Sequence, residues 1–350
     1  MCVYSNIINV KLKHYRSKLP FKVGCGHCIE CLQDYQNQWT TRIFYELKSC
    51  NGVGVFLTLT YNNDKVPTIV VGDDEYLSLN RKHVPLAIKR FRINYERRYK
   101  CKLNFKYFLC GEYGKNTKRP HYHLLVFGVT QDDLQMLIDD WQNLYGHVDV
   151  QPVKAPLDKI NRAWYKLAAY LGKYCAKSYL DIPEARKIEM QKDKDGKFVC
   201  WNKVEPYVQP TFRQCSNGIG IGYLTLQVIQ YHRCDNIQSR STRIEEIIKR
   251  RKIVVMGDEK ELYFKLPRYY ANKIYGEASD LSNEITYHIW RRHLNDAFKL
   301  FGQVPPTSER AYQRHYETLL SMATAEVSEK RNKEIRNEKN LLKFYNESIL

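Results

Sequence analysis

Nowhere do these 350 residues hold an unbroken apolar run of the length a bilayer-spanning helix needs, which is about 18 residues or more. A basic segment followed by a short apolar stretch is also missing near Met1. The expectation is a protein neither membrane-spanning nor secreted, in keeping with a bacterial-type cytoplasm. Acidic residues are scarce: 38 Asp and Glu stand against 56 Lys and Arg, a net charge of +18. Folding gains nothing from self-repulsion of that size, so it points to a polyanionic partner, with nucleic acid first. The cysteines number 11, an odd count that fits thiols in a reducing compartment, some of them metal-bound, better than a disulfide framework. No phosphate loop is complete. In Gly111-Glu112-Tyr113-Gly114-Lys115-Asn116-Thr117 the spacing is two residues short and Asn116 replaces the hydroxyl after the lysine, so helicase activity is not expected. What remains is a chain 43% apolar, long enough for a catalytic domain of about 200 residues and an accessory region.

Against that background one stretch stands out, Arg119-Pro120-His121-Tyr122-His123-Leu124-Leu125-Val126-Phe127-Gly128. Read as a strand, it sets both imidazoles on one face and Tyr122 on the other. Phe105 to Glu112 reads as a second strand, joined to the first by the polar run Tyr113 to Arg119. Pairing of the two brings Glu112 beside His121 and His123. Two imidazoles and one carboxylate make a mixed N/O set with open positions, suited to Mg²⁺ or Mn²⁺ acting on a phosphate. A hydrolase built on HxHxD needs an acid soon after the histidines, and Leu124 and Leu125 fill that space.

Asp158 to Tyr179 reads as a helix with two stripes. Trp164, Leu167, Ala168, Leu171 and Cys175 form the apolar one, while Tyr170, Lys173, Tyr174 and Lys177 fall at i, i+3, i+4 and i+7 on another face. With 27 tyrosines in the chain, such a pair also arises from ordinary packing. A phenol is a poor nucleophile at neutral pH unless cations favour the phenolate, and Lys173 and Lys177 are spaced to supply that charge.

Cys25-Gly26-His27-Cys28-Ile29-Glu30-Cys31 leads into a helical pattern through Leu32, Tyr35, Trp39, Ile43 and Leu47. Cys25, Cys28 and Cys31 at this spacing fit a structural Zn²⁺, though the fourth ligand is not evident; buried thiols and redox chemistry are the other readings. Gly54 to Tyr61 reads as a central strand. Between Arg81 and Arg119 lie 13 basic residues against Glu96 and Glu112. A helix over Pro85 to Tyr99 carries Lys89, Arg90, Arg92, Arg97 and Arg98; with Lys118 and Arg119 these are candidates for tracking DNA phosphates, against the plainer reading of a solvated helical face. Further helices are expected over Gln131 to Leu144, Arg240 to Lys252 and Asp280 to Phe301, a strand over Val148 to Val153, and an exposed turn at Lys192 to Lys197. Asn217 to Gly222 is a glycine loop read as a close backbone approach, and the tail from Thr307 is charged on both signs and helical.

These stretches together resemble the replication initiators of gokushovirus-like microviruses, members of the HUH endonucleases. The resemblance rests on Cys25 to Cys28 with Cys31, Phe56-Leu57-Thr58-Leu59-Thr60-Tyr61, Gly111-Glu112-Tyr113-Gly114, Arg119 to His123, Tyr170 to Lys177 and Gly218-Ile219-Gly220, over roughly Cys25 to Tyr223. It implies an α+β fold, a central antiparallel sheet flanked by helices with the histidines on a central strand, and a mainly helical C-terminal region. The implied organisation is an N-terminal cysteine cluster and helix (1–50), a nicking domain (51–235) and an accessory region (236–350). It also implies origin nicking by Tyr170 and Tyr174 with a divalent metal at His121, His123 and Glu112. The expected partners are viral replicative-form and single-stranded origin DNA with a host helicase and polymerase, in the cytoplasm of a bacterial host. The alternatives are a zinc-stabilised DNA-binding or packaging protein and an HUH transposase or relaxase.

Overall fold

The computed structural model describes residues 6–10, 19–24, 29–71, 73–114, 116–153, 160–177, 209–256, 261–277 and 279–300. Two short strands, β1 (Asn6–Val10) and β2 (Leu19–Val23), pair antiparallel. α1 (Ile29–Ser49) follows, where Leu32, Trp39, Ile43 and Leu47 recur at helical spacing and are all buried. The alternating run after it becomes β3 (Gly54–Thr60), then the hairpin β4 (Thr68–Val71) and β5 (Asp74–Leu77). α2 (His83–Tyr99) holds its only proline in the first turn, where no helical hydrogen bond is lost. β6 (Lys106–Tyr113) and β7 (Pro120–Phe127) come next, then a short 3-10 turn, α3 (Gln135–Leu144), β8 (Val148–Pro152), α4 (Ile160–Lys177) and β9 (Phe212–Cys215). Beyond these lie α5 (Leu226–Arg233), α6 (Arg240–Lys249), the hairpin β10 (Lys252–Met256) and β11 (Glu261–Lys265), α7 (Arg268–Tyr275) and α8 (Asp280–Leu300).

The chain divides into two compact units, one of residues 33–225 with 252–267 and one of 1–32 with 226–251 and 268–350. In the first, five antiparallel strands run in the order β8-β3-β7-β6-β9, so the histidine strand is in the middle. Each face is covered. Leu57, Leu59, Leu109, Tyr122, Leu124 and Val126 meet Val84, Ala87, Ile88 and Phe91 of α2 and Leu137, Ile138 and Trp141 of α3. Phe56, Phe108, Leu125 and Phe127 meet Trp39, Ile43 and Leu47 of α1 and Trp164, Ala168 and Leu171 of α4. Complete burial of side chains of this size contributes about 2 kcal/mol each.

The second face has a close seam. A Cβ on Gly172 would lie 2.5 Å from Thr40 Oγ1 and 3.0 Å from Gln36 O, so only glycine lets α4 approach α1 this far. That approach sets the height of α4 above the sheet. α1 also anchors the glycine loop. Glu46, its side chain 3% exposed, accepts Lys106 Nζ at 2.9 Å and the amide of Gly220 at 2.6 Å, while Lys106 Nζ also donates to Gly218 O at 3.2 Å. Gly218 and Gly220 have φ of 73° and 77°, the left-handed turn that bends the loop onto the carboxylate. Replacing Glu46 with Ala strands an ammonium and an amide donor, and is expected to cost about 3 kcal/mol. The check is the urea midpoint at constant m; a loss under about 1 kcal/mol would mean that water replaces the carboxylate.

In the other unit, α6 and α7 pack on α8, and α5 packs on α7. Its buried side chains include Ile244, Ile247, Tyr270, Ile274, Ile285 and Trp290. Arg240 pairs with Glu284 at 2.7 Å and Arg250 with Glu246 at 3.0 Å. The α+β architecture and the helical C-terminal region agree with expectation. The β10–β11 hairpin interrupts that region and belongs to the sheet unit, where Tyr45 Oη donates to Val254 O at 2.8 Å. The expected turn at Lys192 to Lys197 and the tail from Thr307 lie outside the described residues. Among the described residues no helix is long and apolar enough to cross a membrane.

Candidate metal and tyrosine site

Register builds the cluster. In the β6–β7 ladder Glu112 lies opposite His121 and Cys110 opposite His123, so the carboxylate and both imidazoles share one face. Glu112 and His123 are buried and His121 is half-buried. Glu112 Oε1 is 2.8 Å from His121 Nε2 and 3.0 Å from His123 Nε2, and one ligand atom from each residue lies within 4.8 Å of the others. His121 Nδ1 lies 3.2 Å from Arg119 O, which only accepts, so that contact puts the proton on Nδ1. A neutral imidazole then turns its Nε2 lone pair toward the carboxylate, an arrangement a cation completes. The spacing agrees: two ligands about 2.1 Å from a six-coordinate cation and at right angles are about 3 Å apart. The donor set therefore fits a divalent cation, its identity unspecified.

α4 lays its two phenols over these histidines. The ring of Tyr174 stacks on His123, centroids 4.4 Å apart and 22° between planes, and Tyr170 meets the same imidazole edge-on at 5.9 Å. Phe56 stacks on His123 at 5.6 Å, so the imidazole is confined by aromatic rings. Tyr174 Oη donates to Tyr170 Oη. Tyr170 is 41% exposed, whereas Tyr174 is half-buried at the margin of the apolar seam. Burial, the negative charge of Glu112 and the bond to Tyr170 all push the Tyr174 phenol above its ordinary pKa. A cation between Glu112 and the histidines would reverse the sign of the field from that quarter.

The apolar stripe of α4 is where its spacing put it, with Trp164, Ala168 and Leu171 buried. Its other stripe is less open than expected, because Tyr174 turns in toward the sheet. Lys173 is half-buried beside it, and the Lys177 side chain lies outside the described residues. Of the cysteine cluster, Cys25 and Cys28 also lie outside, so only Cys31 is described, half-buried on α1.

The basic helix is not brought to the cluster. Along the sequence it runs toward the histidine strand, but α2 packs through Val84, Ala87, Ile88 and Phe91 onto the opposite face of the sheet. Lys89, Arg92, Arg97 and Arg98 are exposed there. Arg90 is committed to Asp140 at 2.8 Å, tying α2 to α3, and the Arg92 guanidinium lies 4.5 Å over Phe105. Arg119 donates to Asn63 Oδ1 at 2.8 Å and to Tyr61 O, securing the entry to β7, while Lys118 sits in the preceding turn with φ of 52°.

Sequence reasoning missed residues that pairing adds to the site face. Thr58 lies opposite His123 on β3, with Oγ1 3.5 Å from Nδ1, and Arg213 on β9 lies opposite Cys110. The alternation Phe56, Thr58, Thr60 carried a signal for the first; β9 is four residues long, too short to show a period.

The profile of a family described as replication-associated protein ORF2 matches residues 54–179. The chain is 25% identical over 262 residues to replication-associated protein ORF2 of Spiroplasma virus 4, covering 74% of this chain and 69% of that protein. Replication-associated protein VP4 of Bdellovibrio phage phiMH2K is 28% identical over 188 residues, 49% of this chain and 53% of its own length. Replication-associated protein ORF4 of Chlamydia phage 1 is 32% identical over 115 residues, 33% of this chain and 26% of its own length. No solved structure matches the chain. Residues 54–179, which carry the Glu112, His121 and His123 cluster and both α4 phenols, belong to this replication-associated protein family, and the chain is a relative of the replication-associated proteins of microviruses.

Proposed function

We propose that this protein initiates rolling-circle replication by nicking and rejoining single-stranded viral DNA at its origin. The observation that supports this most is the stacking of Tyr174 on His123, with Tyr170 bonded to it, because it sets two nucleophiles beside a phosphate-metal cluster. The Oη of one phenol attacks the scissile phosphorus and the bond to the 3′ oxygen breaks. The phenolic proton passes to water and the departing oxygen takes one up, leaving a 5′-phosphotyrosine and a free 3′-OH. One phosphodiester replaces another, so rejoining needs no nucleoside triphosphate. Two phenols one helical turn apart let one hold a 5′ end while the other cuts again. Glu112, His121 and His123 would hold Mg²⁺ or Mn²⁺, which supplies Lewis acidity at the non-bridging oxygens. Lys173 and Lys177 add positive charge to the phenol-bearing turn. Unwinding and synthesis fall to a host helicase and polymerase, in the cytoplasm of a bacterial host.

The test uses single-stranded oligonucleotides tiling the origin region of the genome that encodes the chain, labelled at the 3′ end, with Mn²⁺ or Mg²⁺. A band that carries label and protein through denaturing electrophoresis is the expected result. Binding without such a band in either metal would leave a DNA-binding protein and remove the nickase.

A further inference from the structure

On the face that carries the histidines, one cation has no counter-charge among the described residues. Arg213 lies opposite Cys110, which lies opposite His123, so all three share a row across β9, β6 and β7. Two strand spacings separate Arg213 from His123, about 10 Å. The Arg213 guanidinium lies 4.2 Å over the ring of Trp39 and 5.4 Å over that of Tyr35, and its Nε donates to Tyr35 Oη. Arg42 of α1 also lies over Trp39, at 4.3 Å, and donates to Ile219 O. Several other arginines of this chain hold carboxylates: Arg90 with Asp140, Arg240 with Glu284, Arg250 with Glu246. Among the described residues no acidic side chain pairs with Arg213.

Two aromatic faces and one hydrogen bond therefore fix a guanidinium in place and leave its paired Nη groups for an acceptor from outside. Trp39 is 5% exposed, so the indole is a floor under the cation rather than a platform for a base. The ligand is accordingly an anion read by charge and fork geometry, not a nucleobase read by stacking. We propose that Arg213 docks a non-scissile backbone phosphate of single-stranded DNA, holding the strand in line as it crosses the metal cluster. Arg42 raises the positive potential at the same place. This rests on the reading that the protein works on single-stranded DNA, but not on the covalent step.

The test is fluorescence anisotropy of a fluorescein-labelled, mixed-sequence single-stranded oligonucleotide across a salt series, without divalent metal. Arg213→Ala is expected to weaken binding about tenfold. It should also reduce the slope of log affinity against log salt by about 0.7, the increment for one phosphate on a single strand. Arg213→Lys should keep that slope and lose part of the affinity, since the charge stays and the fork goes. Tyr35→Phe, which removes only the orienting hydroxyl, should weaken binding less than Arg213→Ala and leave the slope unchanged. An unchanged slope for a folded Arg213→Ala, with thermal unfolding like that of wild type, would overturn the proposal, as would equal losses of affinity and slope for Ala and Lys. A reduced slope in a protein that forms no covalent adduct would keep the phosphate contact and remove the nickase; an adduct with an unchanged slope would do the reverse.

Discussion

The double variant Tyr170→Phe/Tyr174→Phe is expected to form no covalent adduct, a fall of at least about a thousandfold in attachment rate, while binding single-stranded DNA like wild type. Phenylalanine preserves the ring at both positions. The stack of residue 174 on His123 and the edge contact of residue 170 survive, and only two hydroxyls and the bond between them are removed. The variant thus isolates nucleophilicity from packing. Each single variant should still attach DNA, because both phenols lie over the same imidazole. An adduct lost entirely in one single variant, with the other unaffected, would reduce the pair to one nucleophile and one packing residue. Denaturing gels read the adduct, and anisotropy with thermal unfolding supplies the controls.

His121→Ala is the second large effect. Adduct formation should fall by about a hundredfold to a thousandfold, chelator should abolish it in wild type, and a higher Mn²⁺ concentration should recover part of it in the variant. His121 is a better target than His123. The latter is 5% exposed and stacked on Phe56 and Tyr174, so truncating it also empties packed space, at a cost of about 2–3 kcal/mol. His121 is half-buried and its loss disturbs the fold less. Full activity in His121→Ala at unchanged metal concentration would remove the cluster from the chemistry. Wild-type activity in excess chelator would do the same.

What the sequence made legible was whatever has a period. His121 and His123 separate from Tyr122 by strand alternation, and β7 puts the first two on the α4 face and the third among the opposite core. The apolar stripe of α4 and the span of α1 followed from helical spacing in the same way. Pairing has no such signature. Glu112 could be placed beside the histidines because one turn joins β6 to β7, but Arg213 reaches the same face from about a hundred residues away through a short edge strand. The basic helix shows the opposite failure. Adjacency in sequence suggested adjacency to the site, yet α2 carries a buried stripe of its own and uses it on the far side of the sheet, with Arg90 spent on Asp140. The return of β10 and β11 to the sheet unit was hidden because alternate residues of β11 face solvent, leaving little apolar signal.

β7 is bonded along its length to β3 on one side and β6 on the other. A strand so placed loses its amide protons to solvent only when the whole sheet opens, so its exchange reports the global free energy rather than a local one. The histidine side chains inherit that permanence. Departure of a cation does not slacken the backbone that carries its ligands, and each returning ion meets atoms already in position, with no ordering cost left to charge against its affinity. Motion needed for DNA to enter and leave is thereby left to the phenol-bearing helix and the edge strands, not to the metal cradle.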